Sequence, residues 1–363
     1  MHKKILLINP FGIGDVLFTT PIIHNLKDLF TGVKLGYLCN RRACPLLESN
    51  PFIDYLYVYE RDEFEALRRS SFFAWINKWL ALFRQIKKEQ FDLALDFSLN
   101  TQFGFFAWIC GIRDRVGYDF KKRGRFLTKK IKLSGYEGRH IVEYYCDILK
   151  YLGLEPKYSS PELYLAETDE SWAEELLARI SSKDTPLVAI VPAGGGSWGG
   201  DAYLKHWPAE DFAQLADKII EKYKAAVIIL ADQSEKLVAG NVVNNMRRSA
   251  VNLAGKTTLG QLAAILSRME LVITNDGGPL HMAVALGRKT LSFFGPVDPK
   301  VYGPYPQDKS RHIALRGVLE CSPCYQNFRY PACLRDRRCL EKISVDEALD
   351  SAEKLLSGRS SNG

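Results

Sequence analysis

The strongest constraint on the fold is a buried strand that turns directly into a helix at residues 275–281, Asn-Asp-Gly-Gly-Pro-Leu-His. The apolar run 271–274 precedes the turn, and the small-residue run 282–287 follows it. The first N–H groups of such a helix have no partners within the helix, and its dipole adds positive charge at the same point. Because glycines let a ligand approach the main chain, the turn predicts a phosphate-binding site. The alternative is an ordinary turn in which Asp276 only caps the helix.

Similar strand and helix patterns recur along all 363 residues. Strand-like runs alternate with helix-like segments from the N-terminus, beginning with a strand at 4–9 and a helix from about 16 to 30. The alternation starts again with a strand at 187–191, and a later helix is predicted at 259–267. Between the two stretches, prolines and serines interrupt the pattern at 153–170. The chain is therefore predicted to be an α/β protein with two doubly wound parallel-sheet domains, 1–165 and 166–345, followed by a helix and a disordered tail at 346–363. Two such domains facing each other would bind ligands in a central cleft, at the carboxyl ends of their strands.

Composition and charge limit the classes of protein that remain. No apolar run reaches the roughly 18–20 residues that span a bilayer, and the N-terminus lacks a signal-peptide pattern, so we expect a cytoplasmic protein. The net charge is +7, and residues 113–132 hold nine basic and two acidic side chains. This segment is either a solvated face or a contact for an anionic glycolipid, an acidic membrane or a nucleic acid. Nucleic acid is not expected, because no stacking or groove-reading motif accompanies the charge.

An amphipathic pattern at 64–88 predicts one long helix that packs on the first sheet. Its apolar residues recur at spacings of three and four, and several basic residues lie between them. The alternative is a helix that lies on a membrane surface.

Four of the eight cysteines cluster near the C-terminus as Cys321-x2-Cys324-x8-Cys333-x5-Cys339. Thiolates at such spacing can close a structural zinc site, although only one CxxC pair is present. Reduced thiols or a disulfide are the alternatives. We expect no catalytic metal here.

Three further positions follow predicted strands and carry possible chemistry. Asp15 follows Gly12-Ile13-Gly14 at the start of a helix, where it can cap the helix or act as a general base on a hydroxyl. This turn lacks the third glycine of a dinucleotide fingerprint, which argues against an NAD-dependent oxidoreductase. Lys205 follows the glycine-rich loop 192–200 and can neutralise a leaving diphosphate. Glu235 either bonds ribose hydroxyls or only occupies the first turn of a helix.

Together these motifs resemble those of the heptosyltransferases of bacterial lipopolysaccharide synthesis, glycosyltransferase family 9, which have the GT-B fold of two Rossmann-like domains. The resemblance covers most of the chain. The matching segments are 12–17 with Thr20-Pro21, 115–118, 205–208, 275–283 and 294–299. Cysteines like those at 321–339 also occur in many members.

The resemblance implies an inverting, metal-independent transfer of a heptose or related sugar from an ADP-activated donor to the lipopolysaccharide inner core. Asp15 matches the catalytic base, and Lys205 matches the lysine that contacts phosphate. The implied donor-binding residues are Gly195, Gly196, Ser197, Lys205, Glu235, Asp276, Gly277, Gly278 and His281. The implied acceptor-binding residues are Gly14, Arg115, Lys121, Lys122 and Arg123. An anionic glycolipid acceptor also implies peripheral contact with the cytoplasmic face of the inner membrane. The alternative is a nucleotide-sugar-binding protein of the same fold without catalytic activity.

Overall fold

The computed structural model describes residues 2–194 and 196–357, apart from the side chain of Ser197. The chain divides into two compact units, Met1–Tyr164 and Leu165–Gly363. Each unit contains one six-stranded sheet in which all paired strands are parallel. Parallel pairing requires a crossover between successive strands, and helices provide most of these crossovers.

Unit 1 alternates strands and helices along its length. Its strands are β1 (Lys4–Asn9), β2 (Lys34–Cys39), β3 (Tyr55–Val58), β4 (Leu93–Asp96), β5 (Asp114–Phe120) and β6 (Lys129–Leu133). Its helices are α1 (Ile13–Phe18), α2 (Thr20–Leu29), α3 (Pro45–Glu48), α4 (Arg61–Ser70), α5 (Phe72–Glu89), α6 (Thr101–Ile109) and α7 (Ile141–Asp147), and a 3-10 segment, Ile148–Leu152, follows α7. The strand order is β3-β2-β1-β4-β5-β6. The order reverses between β1 and β4, and ligands of open α/β sheets bind at such a switch point.

Two helices predicted in unit 1 are each divided in the structure. The helix expected from about residue 16 to 30 breaks at Thr19, because Pro21 has no N–H to continue the ladder and the Thr20 hydroxyl instead donates to the carbonyl of Leu17 at 2.8 Å. The helix expected at 64–88 breaks at Ser71, whose extended main chain ends α4 and whose side chain accepts from the N–H of Ala74 at 3.3 Å. Helix α5 does pack on the sheet, with Ile86 buried in the core.

The basic segment 113–132 contains two strands, β5 and β6, that the sequence pattern did not predict. Val116, Tyr118 and Phe120 are buried in β5, whereas charged residues occupy much of the exposed part of both strands. The high charge hid the alternation of buried and exposed residues that is typical of a strand.

Unit 2 repeats the same architecture. Its strands are β7 (Leu187–Val191), β8 (Ala226–Ile229), β9 (Val251–Asn252), β10 (Leu271–Asn275), β11 (Lys289–Phe293) and β12 (His312–Leu315). Its helices are α8 (Glu167–Ile180), α9 (Ala209–Tyr223), α10 (Lys236–Asn245), α11 (Leu259–Ser267), α12 (Gly278–Ala285), α13 (Pro299–Tyr302), α14 (Arg338–Glu341) and α15 (Val345–Ser357). A 3-10 segment, Gly196–Lys205, precedes α9. The strand order β12-β11-β10-β7-β8-β9 places the switch point between β7 and β10.

The C-terminal helix α15 belongs to the core of unit 2. Ala348, Ala352 and Leu355 are buried in the same cluster as Phe212 of α9 and Phe293 of β11. The predicted disordered tail falls mainly on residues 358–363, which lie outside the described residues.

No helix in the described part of the chain has both the length and the apolar character needed to cross a membrane.

Candidate functional site

The predicted phosphate-binding turn lies at the carboxyl end of β10, beside the switch point of unit 2. Gly277 is the N-cap of α12 in an extended conformation, and no described side chain caps the helix. Helix α12 then begins with Gly278 and Pro279. Asp276 therefore does not occupy the N-cap position, and phosphate binding at this turn stays a prediction. The N-terminus of α12 has the form that suits an anionic ligand.

Asp276 instead pairs with Lys205, the last residue of the 3-10 segment. The Lys205 Nζ atom lies 2.6 Å from Asp276 Oδ2, and the two side chains are only 9% and 5% exposed. The same Nζ atom lies 4.4 Å from the centre of the Trp198 ring. An ammonium group has three N–H donors, and Asp276 accepts from one of them. Lys205 is thus held at the turn as a desolvated cation with capacity for a further anion.

Gly194 joins the loop after β7 to the turns after β8 and β10. Its N–H donates to the Glu235 carboxylate at 3.0 Å, and its carbonyl accepts from His206 Nε2 at 2.8 Å. Its φ of 126° is one that favours glycine, and a Cβ atom there would lie 3.7 Å from the carbonyl oxygen of Asp276. Burial raises the pKa of Glu235, and burial lowers the pKa of His206. The neutral His206 ring can therefore serve as the donor to Gly194.

His281 lies one turn into α12 and is buried. Burial, together with the positive charge of Lys205, lowers the pKa of His281 to about 3. The imidazole is consequently neutral at physiological pH. It can contact a bound group without adding a second positive charge beside Lys205.

Asn275 is a supporting residue whose role the sequence did not reveal. Its side-chain oxygen accepts from the main-chain N–H of Trp207 at 2.9 Å, and its amide donates to the carbonyl of Pro192 at 2.6 Å. Trp207 stacks on Phe293 with ring centres 4.1 Å apart. Asn275 thereby fixes the positions of the β7 loop and of the segment around Lys205.

The structure brings most of the predicted donor residues of unit 2 to one end of the sheet. These residues are Lys205, Glu235, Asp276, Gly277, Gly278 and His281. Gly196 lies at the start of the 3-10 segment and is exposed. Gly195 and the side chain of Ser197, two further predicted contacts, lie outside the described residues.

Asp15 occupies the third position of α1, directly after the switch-point strand β1 of unit 1, and is half-buried. Its main-chain carbonyl accepts from the Asn9 amide at 2.9 Å. Two buried phenols lie near its carboxylate: burial raises the pKa of Tyr37 and of Tyr136, and the charge of Asp15 raises both further. A carboxylate at a helix start beside two neutral hydroxyls can accept a proton.

Asp96 was not predicted as a site residue, yet it ends β4 on the other side of the switch point. It is buried, and burial raises its pKa to about 6. The N–H of Ser98 donates to Asp96 Oδ1 at 2.9 Å. A Cβ atom at Gly117 would lie 2.5 Å from the Asp96 carbonyl oxygen, so the close approach of β4 requires the glycine of the 115–118 motif. The sequence signal that could have identified Asp96 is its position as an acidic residue at the end of an apolar run.

The predicted acceptor residues fall in two places in unit 1. Gly14 lies in α1 beside Asp15. Lys121, Lys122 and Arg123 are exposed in the loop between β5 and β6. The Arg115 guanidinium donates to the main-chain carbonyls of Ile112, Arg113 and Phe126, and the distances to the last two are 2.9 and 2.7 Å. Arg115 therefore holds the loop that carries the other basic residues.

The four C-terminal cysteines line one cavity together with Tyr330 and Arg337. They are free thiols. Burial raises the pKa of both Cys324 and Cys339. Within residues 2–194 and 196–357, no three His, Cys, Asp or Glu side chains are grouped so that they could hold a metal ion. The structural zinc site that the spacing suggested stays a prediction.

Each unit therefore combines a six-stranded parallel sheet with polar or charged residues at the end of a switch-point strand. The chain belongs to glycosyltransferase family 9, the heptosyltransferases, whose family model matches residues 79–330. This membership confirms the family predicted from the sequence and shows that the protein is a glycosyltransferase.

Individual relatives cover nearly the whole chain. The chain is 23% identical to lipopolysaccharide heptosyltransferase 3 of Escherichia coli K12, over 94% of this chain and 95% of the relative. A family 9 glycosyltransferase from Veillonella parvula superposes with a TM-score of 0.83 at 24% identity, covering 98% of this chain and 97% of that one. The ADP-heptose lipopolysaccharide heptosyltransferase II of Escherichia coli superposes with a TM-score of 0.77 at 19% identity and 98% coverage of both chains. These structures confirm the predicted GT-B fold class.

Proposed function

We propose that this protein is an inverting heptosyltransferase that moves a heptose from ADP-heptose to the inner core of lipopolysaccharide without a catalytic metal. The observation that carries the proposal is the buried pair of Lys205 and Asp276 at the N-terminus of α12. Similarity to proteins named as lipopolysaccharide heptosyltransferases supports the choice of acceptor, and the name of one similar structure supports the choice of donor.

In the proposed donor complex, the diphosphate contacts the N–H groups at the start of α12 and the ammonium of Lys205. Asp276 keeps that ammonium in position, and His281 adds a neutral contact. The Glu235 carboxylate, which already accepts from Gly194, bonds the ribose hydroxyls with its remaining capacity. Gly195, Gly196 and Ser197 are assigned to the donor contact in this proposal because of their place in the sequence, directly after β7.

In the proposed reaction, Asp15 takes the proton of the acceptor hydroxyl as its oxygen attacks the anomeric carbon. The bond from that carbon to the ADP oxygen breaks on the opposite face, so the configuration inverts. Lys205 and the dipole of α12 stabilise the charge that develops on the leaving diphosphate. Since these groups supply positive charge at the diphosphate, the proposal requires no metal ion for this step.

On the acceptor side, we assign to Gly14 a main-chain contact with the acceptor, beside Asp15. Lys121, Lys122 and Arg123 meet the phosphates and acidic sugars of the inner core. Arg115 acts indirectly, because its guanidinium holds the loop that carries these basic residues. An acceptor with a lipid anchor brings the enzyme to the cytoplasmic face of the inner membrane.

The test is transfer by Asp15→Asn, with purified protein, ADP-heptose and lipopolysaccharide from a heptose-deficient strain. We expect turnover to fall by about 10²–10⁴-fold, the usual contribution of a general base, while the ADP dissociation constant stays within about twofold because Asp15 makes no donor contact in this proposal. Asp62→Asn, an exposed change of the same kind in α4, is the matched control and should transfer normally.

Three outcomes would contradict parts of the proposal. Normal turnover by Asp15→Asn would remove Asp15 as the base. A product that retains the donor's anomeric configuration by NMR would exclude direct inversion. Activity that a chelator abolishes and a divalent cation restores would contradict metal independence.

A further inference from the structure

Helix α6 is apolar on both of its faces, but the described structure covers only one of them. Phe103, Phe106 and Ala107 are buried in the core of unit 1. On the other side, Phe105, Trp108 and Ile109 are 42%, 52% and 39% exposed. A helix that is hydrophobic all round is normally covered on every side, because its exposed face costs free energy in water. The described part of the chain does not cover this face, which therefore indicates a contact with another molecule.

The β5–β6 loop extends this face with a further aromatic ring. Phe126 stacks on Trp108 with ring centres 5.8 Å apart and meets Phe105 edge-on at 5.1 Å. Arg115 holds the loop by donating to the Phe126 carbonyl at 2.7 Å. We call Phe105, Trp108, Ile109 and Phe126 the aromatic surface.

Positive charge adjoins the aromatic surface directly. The loop exposes four basic residues, Lys121, Lys122, Arg123 and Arg125, which we call the basic loop. The hydroxyl of Thr101, in α6, donates to the Arg123 carbonyl at 3.0 Å and ties the loop to the helix. The Arg125 guanidinium lies 5.8 Å from the centre of the Phe126 ring.

Nearby carboxylates do not neutralise this charge. Asp119 accepts from the N–H of Gly124 at 2.8 Å and so stabilises the conformation of the loop itself. Asp114 lies 3.9 Å from His2. In the described part of the chain, no side chain of the basic loop forms an ion pair with an acidic residue. The basic loop thus offers its charge to an outside anion.

We propose that the aromatic surface and the basic loop together dock on the surface of an anionic phospholipid bilayer. Trp and Phe rings at the level of the headgroups bury apolar area while Lys and Arg meet lipid phosphates. A soluble polyanion would use the charge but would leave the aromatic surface in water. This inference deepens the proposed function, since it assigns the membrane contact to particular residues, but bilayer binding itself requires no sugar transfer.

The test is sedimentation of the full-length protein with vesicles of phosphatidylcholine alone or mixed with phosphatidylglycerol, in the absence of donor and acceptor. We expect wild type to bind the anionic vesicles at least about tenfold more tightly than the neutral ones, because each basic residue near an anionic surface contributes about fivefold. Phe105→Ser/Trp108→Ser should weaken binding to anionic vesicles by about tenfold or more. Leu237→Ser, at a site that is 83% exposed but outside the aromatic surface, should bind within about twofold of wild type.

A second pair of variants tests the charge of the basic loop separately. All four substituted lysines are exposed, so the core is not disturbed. Lys121→Gln/Lys122→Gln should lose about tenfold or more in affinity for anionic vesicles, whereas Lys183→Gln/Lys309→Gln, which removes the same charge from exposed positions elsewhere, should lose far less. Thermal unfolding of each variant checks that the protein remains folded.

The proposal is overturned if wild type ignores anionic vesicles, or if Phe105→Ser/Trp108→Ser binds them as wild type does. Loss of self-association in the ultracentrifuge, with vesicle binding unchanged, would identify the aromatic surface as a subunit interface instead. Because the vesicles contain neither acceptor nor donor, a failure of the proposed sugar transfer would leave these results unaffected.

Discussion

Lys205 and Asp276 form a buried ion pair, 2.6 Å long, that joins the segment after β7 to the turn after β10. A buried pair adds little stability relative to a well-packed apolar pair, because both charges lose their hydration. Its partners are nevertheless strongly interdependent, since removal of one leaves the other charge uncompensated. This pair therefore places a positive charge at the N-terminus of α12. The cost in free energy is the loss of hydration by both side chains.

The first prediction concerns this interdependence. Lys205→Met should lower the free energy of unfolding by about 3–5 kcal/mol, because Asp276 is then buried without a partner. Lys205→Met/Asp276→Asn should recover most of that loss, yet neither variant should regain ADP affinity. Urea unfolding measures the stability, and titration calorimetry measures the ADP dissociation constant.

The matched control is Lys218→Met, which removes a lysine from another pair of 2.6 Å. Lys218 and its partner Asp346 are 43% and 82% exposed, so the loss should be less than about 1 kcal/mol. If Lys205→Met costs no more than this control, water reaches the Lys205 pair in solution and the desolvation argument is wrong.

Glu235 gives the second prediction, because its carboxylate accepts from the N–H of Gly194. Glu235→Ala removes this acceptor from a buried N–H and frees the β7 loop, so ADP affinity should fall by about tenfold or more. Glu235→Gln keeps an oxygen acceptor and should lose much less affinity. Calorimetric titration of both variants with ADP separates the two effects.

The charge of Glu235 is tested by the same comparison. Equal losses in Glu235→Gln and Glu235→Ala would mean that ADP binding depends on the negative charge and not on the acceptor for Gly194. Glu210→Gln, a change at the start of α9 with no part in the proposed site, should leave ADP affinity unchanged.

The fold was largely predictable because buried parallel strands leave a strong signal. The predicted strands β1 and β7 and the predicted helix α11 were confirmed. In each case an apolar run ends at turn residues. β5 and β6 were missed because their charged residues obscure the buried positions 116, 118 and 120. Short-range propensity also could not reveal the breaks at Thr19 and Ser71, which depend on local hydrogen bonds.

The candidate site could be predicted where a residue follows a strand, and not where its role depends on a distant partner. Asp276, Gly277 and His281 were found from one continuous motif. The contact between Lys205 and Asp276 joins positions 71 residues apart, and no local pattern specifies it. Asp96 was missed for a related reason: its burial results from the sheet around it, whereas the sequence shows only an acidic residue at the end of a strand.

The third prediction concerns His281 and the pH dependence of stability. Burial lowers its pKa in the folded protein to about 3, below the ordinary value of 6.5. Between these values the unfolded chain binds a proton that the folded protein does not, so stability falls as the pH decreases from 6.5 toward 3. The contribution of His281 to this slope is about 1.4 kcal/mol per pH unit at most.

Urea unfolding of wild type and His281→Gln, from pH 7 to pH 4, measures this contribution as the difference between the two curves. The difference should be constant above pH 6.5 and should then change in favour of the variant as the pH falls. His24→Gln is the control, since His24 is partly exposed and pairs with Glu162 at 2.6 Å. Parallel curves for wild type and His281→Gln would show that His281 binds a proton in the folded protein as readily as in the unfolded chain.

The fourth prediction has the opposite sign and concerns Asp96. Burial raises its pKa in the folded protein to about 6, above the ordinary value of 3.8. The folded protein therefore retains a proton that the unfolded chain releases between these values, and the stability that this provides below pH 3.8 is lost as the pH rises through 6.

Asp96→Asn keeps an oxygen that accepts from Ser98 and cannot ionise, so at pH 7 it should be more stable than wild type by about 2–3 kcal/mol. Urea unfolding should show this advantage shrinking toward zero at pH 4, and Asp62→Asn should show none. An advantage of Asp96→Asn that is the same at pH 4 and pH 7 would mean that Asp96 ionises normally, and that packing explains the effect.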